Sequence, residues 1–279
     1  MTHHIRAARW TEQDPVAAVI AGALQPTPLA AWLVPDEEQR GRVLTDVARI
    51  WVEHALFFGD VYVAAGRATD LAAAAVGFHR LGPIPPPRKY TTRLATAAGP
   101  HAERFLALDD IIGSRQPAYA HYYLACLAVL PTHQRAGRGR ALLAHLRSRT
   151  DLLDLPSWTV TLPAGQHLLA RSGYDTTQAT AQVSTGVIVH AMSRDQHKRS
   201  GTPSPSARLA DAPTPLPPVC PVSPPATGQP APTPDVTTPG MTTASDPSPV
   251  LTTVAQATGD RPTQPGPPPA DVEENHESL

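Results

Sequence analysis

Proline limits what this chain can fold into more than any other residue, because it fixes φ and removes a backbone donor from helices and sheets. Of the 33 prolines, 20 fall after Asp195, in text such as TPSPSARLADAPTPLPPVCPVSPPATGQPAPTPDVTTPG. That stretch is poor in aromatic residues and has too little apolar surface to offset the entropy of ordering its backbone. Residues 196–279 are therefore expected to form a disordered tail. Residues 1–195 suffice for one domain of ordinary size with a sizeable core.

Dividing the charge at the same point is informative. The formal charge of the whole chain is −1, but the tail holds four Lys/Arg against eight Asp/Glu, so it carries −4 and residues 1–195 carry +3. A mildly basic domain suits an anionic ligand of modest size. Nucleic acid is not expected as a partner, since no face is loaded with Lys/Arg and the pI is about 6.9. Cys126 lies in an apolar run and reads as core, and Cys220 lies in the tail, so a disulfide between them would be an odd staple and a reducing compartment is expected. The stretch MTHHIRAARWTEQD lacks the apolar core of a signal peptide, and no apolar run reaches the roughly 20 residues of a membrane span. A cytoplasmic protein with no membrane partner is the expectation. His3 and His4 lack companions at ligand spacing, so no metal is expected.

Along the domain, HIRAARW reads as a first strand and TEQDPVAAVIAGAL as a helix opened by a polar residue and Pro15, ended by Pro26 and Pro28. A short helical turn follows. A long amphipathic helix then starts near Asp36, with Val43, Leu44, Val47, Ile50, Trp51 and Leu56 at helical spacing. DVYVAAG and LAAAAVGFHRL, separated by RATD, make a hairpin. Residues from about 91 to 113 read as one helix. HYYLACLAVLP is a near-continuous apolar run, as in a strand covered on both faces. After a further helix comes the strand SWTVTLP, which implies a right-handed parallel crossover. A short helix stopped at Gly173 and a last hairpin, ATAQVSTGVIVHAMS, close the domain.

The stretch VLPTHQRAGRGRALLAHLR, residues 129–147, holds the chemistry. A turn between a buried strand and a helix exposes unpaired N–H groups and the positive end of the helix dipole, which together bind phosphate. Gly137 and Gly139 let backbone approach an anion closely. Arg135, Arg138 and Arg140 add donors that fork onto phosphate oxygens. The spacing is neither that of a Walker loop nor that of the dinucleotide fingerprint.

With Val129, Pro131, Gln134, Gly137 and Gly139 in register, this stretch resembles motif A of the GNAT superfamily of N-acetyltransferases. The resemblance covers nearly all of residues 5–194. AWLVPD and HYYLACLAVLP look most like the actinobacterial branch that includes puromycin N-acetyltransferases. It implies an α/β GNAT-like acyl-CoA N-acyltransferase fold, with a mixed central sheet splayed between two parallel strands and flanked by helices. It also implies acetyl-CoA as co-substrate, lying in the splay between YYLACLAVL and SWTVTL. Backbone at Leu127, Ala128 and Val129 would pair with the pantetheine arm, and Gln134, Arg135, Ala136, Gly137, Arg138, Gly139 and Arg140 would wrap the pyrophosphate. A main-chain N–H would hold the thioester carbonyl, and a primary amine of a small molecule would attack it directly in a ternary complex.

Two positions depart from the family pattern. Leu169 stands where a tyrosine often protonates the leaving thiolate, and Gly165 stands where asparagine is frequent. Three readings stay open: the thiolate leaves without a dedicated acid; His121, Tyr122, His167 or Ser172 substitutes; or the domain keeps ligand binding and has lost catalysis. His121 at the start of the central strand is the candidate base, or else an ordinary strand-end histidine. Asp109 and Asp110 either attract a cationic amine or form a solvated helix face. Trp32 either walls an acceptor site or packs in the core. The expected activity is acetyl transfer from acetyl-CoA to a small-molecule amine. The alternatives are a silent acyl-CoA-binding or protein-interaction module, and an acetyltransferase acting on a protein amine.

Overall fold

The computed structural model describes residues 3–66, 70–184 and 186–195. The tail from 196 to 279, Cys220 within it, and most of the RATD turn lie outside the described residues. Strands β1 (Ile5–Ala7), β2 (Asp60–Ala65), β3 (Leu71–Arg80), β4 (His121–Val129), β5 (Ser157–Thr161), β6 (Asp175–Ser184) and β7 (Val187–Arg194) form one sheet of order β1-β2-β3-β4-β5-β7-β6. Among the described residues only β4 and β5 pair in parallel; every other ladder is antiparallel. The fold is the mixed, splayed α/β architecture expected from the sequence.

Helices α1 (Gln13–Leu24), α2 (Pro28–Leu33), α3 (Glu37–Phe58), α4 (Tyr90–Ala98) and α5 (Ala102–Gly113) cover one face, and α6 (Arg138–Leu152) and α7 (Pro163–Arg171) cover the other. Helix starts follow local chemistry. The Thr27 hydroxyl caps α2 by accepting from Ala30 N–H, and the Asp36 carboxylate caps α3 by accepting from Glu38 and Gln39 N–H. The single helix expected over 91–113 is two, since Gly99, at φ 52°, and Pro100 interrupt it with a 3-10 turn.

All nine residues of β4 are buried, as its apolar run requires. Tyr122, Leu124, Leu127 and Val129 pack under α6 and α7, while Tyr123, Ala125, Cys126 and Ala128 face the other helices. The alternation slips by one at Ala125. Val76 lies opposite Cys126 and Gly77 opposite Leu124, so Ala125 has no partner on β3 and forms a β-bulge.

Two polar groups sit inside the α3–α5 layer. The Asp109 carboxylate is 1% exposed and accepts from Tyr90 O–H at 2.7 Å, and the Tyr90 oxygen accepts from Trp51 Nε1–H at 3.2 Å. Asp109 is thus neither a solvated face nor an amine trap; it belongs to a buried relay that ties α5 to α4 and α3. His54 on α3 is likewise buried, its ring 5.0 Å from that of Phe58 and 5.6 Å from that of Phe78. Burial, helped by the Arg80 charge and opposed by Glu53, pushes its imidazole down to about 4.

The buried His54 imidazole makes folding depend on pH. Between its ordinary value of 6.5 and its folded value, the unfolded chain takes up a proton that the native state refuses, so stability falls as pH falls through that window. The full extent is about 3 kcal/mol. Urea denaturation at neutral pH and near pH 4.5 should show this loss, and His54→Phe should flatten it; an unchanged acid slope in the variant contradicts the assignment.

Candidate functional site: a splayed strand pair and a glycine cradle

The site starts where β4 and β5 part. Their parallel ladder holds only Tyr122–Ser157, Tyr123–Trp158 and Leu124–Thr159. At the last of these registers the Thr159 hydroxyl donates to the Leu124 carbonyl at 2.8 Å, wholly buried. Beyond it β4 continues on β3 alone to Val129, and β5 continues on β7 to Thr161. The bulge at Ala125 falls at the divergence, where its added bend and twist act on β4. Thr159 had no role in the sequence reading, because its hydroxyl matters only through a register that the tertiary fold creates.

Leu130 N–H donates to Ala72 O at 3.0 Å. By antiparallel alternation, the main-chain groups of Leu127 and Val129 then face away from β3 into the splay, whereas those of Ala128 face Ala74. The Val129 carbonyl accepts from Gln134 Nε2 at 3.1 Å. Gln134 therefore sits across the mouth, holding the turn after β4 to the strand it leaves.

The cradle follows. A 3-10 turn, Pro131–His133, leads into a segment in which Arg135 (φ 60°) and Gly137 (φ 81°) both adopt left-handed backbone. Such a conformation at a non-glycine residue marks a stretch whose shape the surroundings over-determine. Gly137 is the residue before α6, and no side chain caps that helix. Ala141 N–H is bonded to Gly137 O, which leaves the N–H groups of Arg138, Gly139 and Arg140 without a partner inside the helix. Gly139 has a different task from Gly137. A Cβ there would lie 3.1 Å from Leu168 Cδ2 and 3.5 Å from Val129 Cγ2, so its bare Cα seats α6 against β4 and α7.

The arginines divide similarly. Arg138 donates through Nη1 to His133 O at 3.3 Å and through Nε to Ala65 O at 3.4 Å, pinning the turn to β2. Arg135 and Arg140 are exposed at the rim. His3, which the sequence marks only as a histidine without metal-ligand companions, donates from Nε2 to Ala136 O at 2.5 Å and stands beside Gly137.

The other candidates lie apart. His121 begins β4, eight residues and about 26 Å of strand from Val129. Its Nδ1 donates to Tyr119 O at 2.8 Å, and its Nε2 is buried without a hydrogen-bond partner among the described residues. Burial and then Arg80 lower its imidazole, and the Tyr119 carbonyl acts the opposite way. Leu169 is fully buried on the inner side of α7, in one cluster with Tyr122, Leu124 and Tyr174. In that cluster the Tyr122 oxygen is buried with no partner among the described residues, and burial raises it well above an ordinary phenol. Ser172 donates its hydroxyl to Leu168 O at 2.9 Å, and His167 is exposed. Trp32 packs partly buried against the core, its carbonyl accepting from Arg104.

A cleft of about 380 Å³ opens at the carboxyl ends of the splayed strands. Its walls are Ala23 and residues 26–28 between α1 and α2, Pro131 and Gln134 behind β4, residues 162–164 after β5, and residues 186–188 at the β6–β7 turn. A second hollow of about 630 Å³ shares Pro131 and residues 26–28 and adds Glu37 and Arg40. Trp32 lines neither; prolines of the same stretch form the wall instead. Among the described residues no group of three His, Cys, Asp or Glu could hold a metal ion, and no helix is long and apolar enough to cross a membrane.

No protein-family model matches the sequence, and comparison with curated proteins finds no match. Solved structures do match. One from Corynebacterium glutamicum, described as histone acetyltransferase HPA2 and related acetyltransferase, is 19% identical with a TM-score of 0.54, over 70% of this chain and 97% of that one. A mosquito arylalkylamine N-acetyltransferase-like protein is 17% identical over 69% of this chain and 99% of its own, with a TM-score of 0.44. An agmatine N-acetyltransferase is 14% identical over 69% and 99%, with a TM-score of 0.47. The residues from β1 to β7 carry a GNAT-like acetyltransferase fold.

Proposed function

We propose that this chain transfers an acetyl group from acetyl-CoA to a primary amine of a small molecule by direct attack in a ternary complex. The observation that carries the reading is the conjunction of a splayed parallel pair with an uncapped helix entered through left-handed Gly137. The amides from Gln134 to Arg140 would hold the pyrophosphate, with the α6 dipole and the exposed Arg135 and Arg140 supplying positive charge. Main chain at Leu127 and Val129 would pair with the pantetheine arm, with Ala128 between them tied to β3. An N–H of this edge would polarise the thioester carbonyl.

Acetyl-CoA supplies an activated acyl carbon. As the C–N bond to the amine forms, the C–S bond breaks, the amine loses a proton and the sulfur leaves as thiolate or, once protonated, as thiol. His121 lies at the other end of β4, about 26 Å of strand from Val129, with its Nδ1–H committed to Tyr119 O and its Nε2 buried, so the amine proton would pass to solvent at the cleft instead. Tyr122 shares Leu169's cluster, but its hydroxyl rests against Gly77 on β3, away from β5, so the sulfur would leave as thiolate without a dedicated acid. The likeness of AWLVPD and HYYLACLAVLP to the puromycin branch supports a small-molecule acceptor. The competing reading, a domain that binds acyl-CoA without turnover, is favoured by Leu169 itself.

Calorimetry with acetyl-CoA and CoA on the full chain should show binding, and Gly137→Val should weaken it by about 100-fold, because a β-branched residue is strained at φ 81°. Unchanged affinity in the variant removes the cradle from the account. Thiol release over a panel of amines separates the two readings: turnover with any amine rejects the silent domain, and CoA binding without turnover supports it. If catalysis occurs, His121→Ala should leave kcat near neutral pH almost unchanged, and a loss of about 100-fold would make His121 the base after all.

A further inference from the structure

The cleft at the mouth of the splay has a chemical character of its own. None of its lining residues among those described is charged. Its polar side chains, Thr27 and Gln134, are already engaged: the Thr27 hydroxyl donates to Leu24 O and accepts from Ala30 N–H, and the Gln134 amide nitrogen donates to Val129 O. The rest of the wall is proline, alanine, glycine, leucine, valine and isoleucine. Ile188, at its rim, is 41% exposed, an apolar side chain held in water at a cleft edge where a ligand would cover it.

Glu37 is the one carboxylate among the described residues that line either hollow, and it belongs to the second, which shares residues 26–28 with the cleft. It shares its hollow with Arg40, whose guanidinium is fixed there by donating to Val34 O and Pro35 O. A second ammonium group reaching past the wall would meet that positive charge along with the carboxylate. Inside the cleft, an ammonium would lose its water and gain no counter-charge.

We infer that the acceptor is a monoamine with an uncharged, apolar body, and that polyamines, guanidino amines and lysine are excluded; this rests on the acetyltransferase reading of the same cleft. The amine enters in its neutral form, which is also the nucleophilic form. Apolar contacts with residues 162–164 and 186–188 orient its body, and the selective element is that no carboxylate stands among the described lining residues.

The test uses the full chain in two arms. In thiol-release assays with acetyl-CoA, kcat/KM for hexylamine and phenylethylamine should exceed that for putrescine and agmatine by about 100-fold. Ile188→Asp should shrink the ratio by about tenfold, by placing a carboxylate at the rim. Equal or higher kcat/KM for the diamines overturns the inference. If no amine is turned over, the functional reading fails, but the second arm still decides the preference of the cleft. Saturation-transfer NMR with CoA bound should then show hexylamine and not putrescine in contact with the protein. Contact by putrescine alone, by both amines equally, or by neither overturns the inference.

Discussion

The structure turns on where two parallel strands stop pairing. β4 and β5 share three registers, and the last is locked by the Thr159 hydroxyl on the Leu124 carbonyl, with the Ala125 bulge immediately after it. Continued pairing would have consumed the main-chain groups of Leu127 and Val129 and closed the wedge. Because pairing ends, β4 keeps β3 on one side and presents an unpaired edge on the other. An unmet strand edge is costly when buried, and a chain that keeps one provides a partner for it. Here Gln134 covers one such carbonyl, leaving the rest of the edge as the surface along which an extended, amide-bearing ligand arm would lie.

The same divergence sets the cradle. β4 ends at the mouth of the wedge, so the turn that follows has to reverse direction over a few residues before α6 begins. Left-handed Arg135 and Gly137 accomplish the reversal, and Gly139 lets the helix settle against Val129 and Leu168. Positive potential at the mouth thus comes chiefly from oriented amides. Arg138 is spent on carbonyls of His133 and Ala65, and so shapes the turn. The apolar cleft beside it suits a division of labour: charge would be handled at the α6 end, and an uncharged body would be accommodated between the α1–α2 stretch and the β6–β7 turn.

Much of this was legible in the residues. The unbroken apolar run of β4, the capping Asp36, and the spacing of Val129, Pro131, Gln134, Gly137 and Gly139 located the strand, the long helix and the cradle, because each is encoded by local periodicity or by a backbone conformation that glycine favours. What escaped depends on contacts between distant segments. Thr159 acquires meaning only opposite Leu124, and His3 only beside Ala136, 133 positions away. Asp109 looked like a surface carboxylate because nothing local announces that Tyr90 and Trp51 will enclose it. Trp32 and the prolines of residues 26–28 occupy one short stretch, and only packing decides that the prolines wall the cleft. The helix expected over 91–113 divides for a local reason: Gly99 adopts φ 52° and Pro100 offers no backbone donor.

The central claim is that the edge of β4 and the turn before α6 form one binding surface for coenzyme A. Hydrogen–deuterium exchange on the full chain, with and without CoA, tests it most directly. The account predicts that CoA slows exchange selectively at Leu127, at Val129 and at the amides from Gln134 to Arg140, with little change at the Tyr119–His121 end of β4. Protection confined to other segments, or none at millimolar CoA, would contradict it.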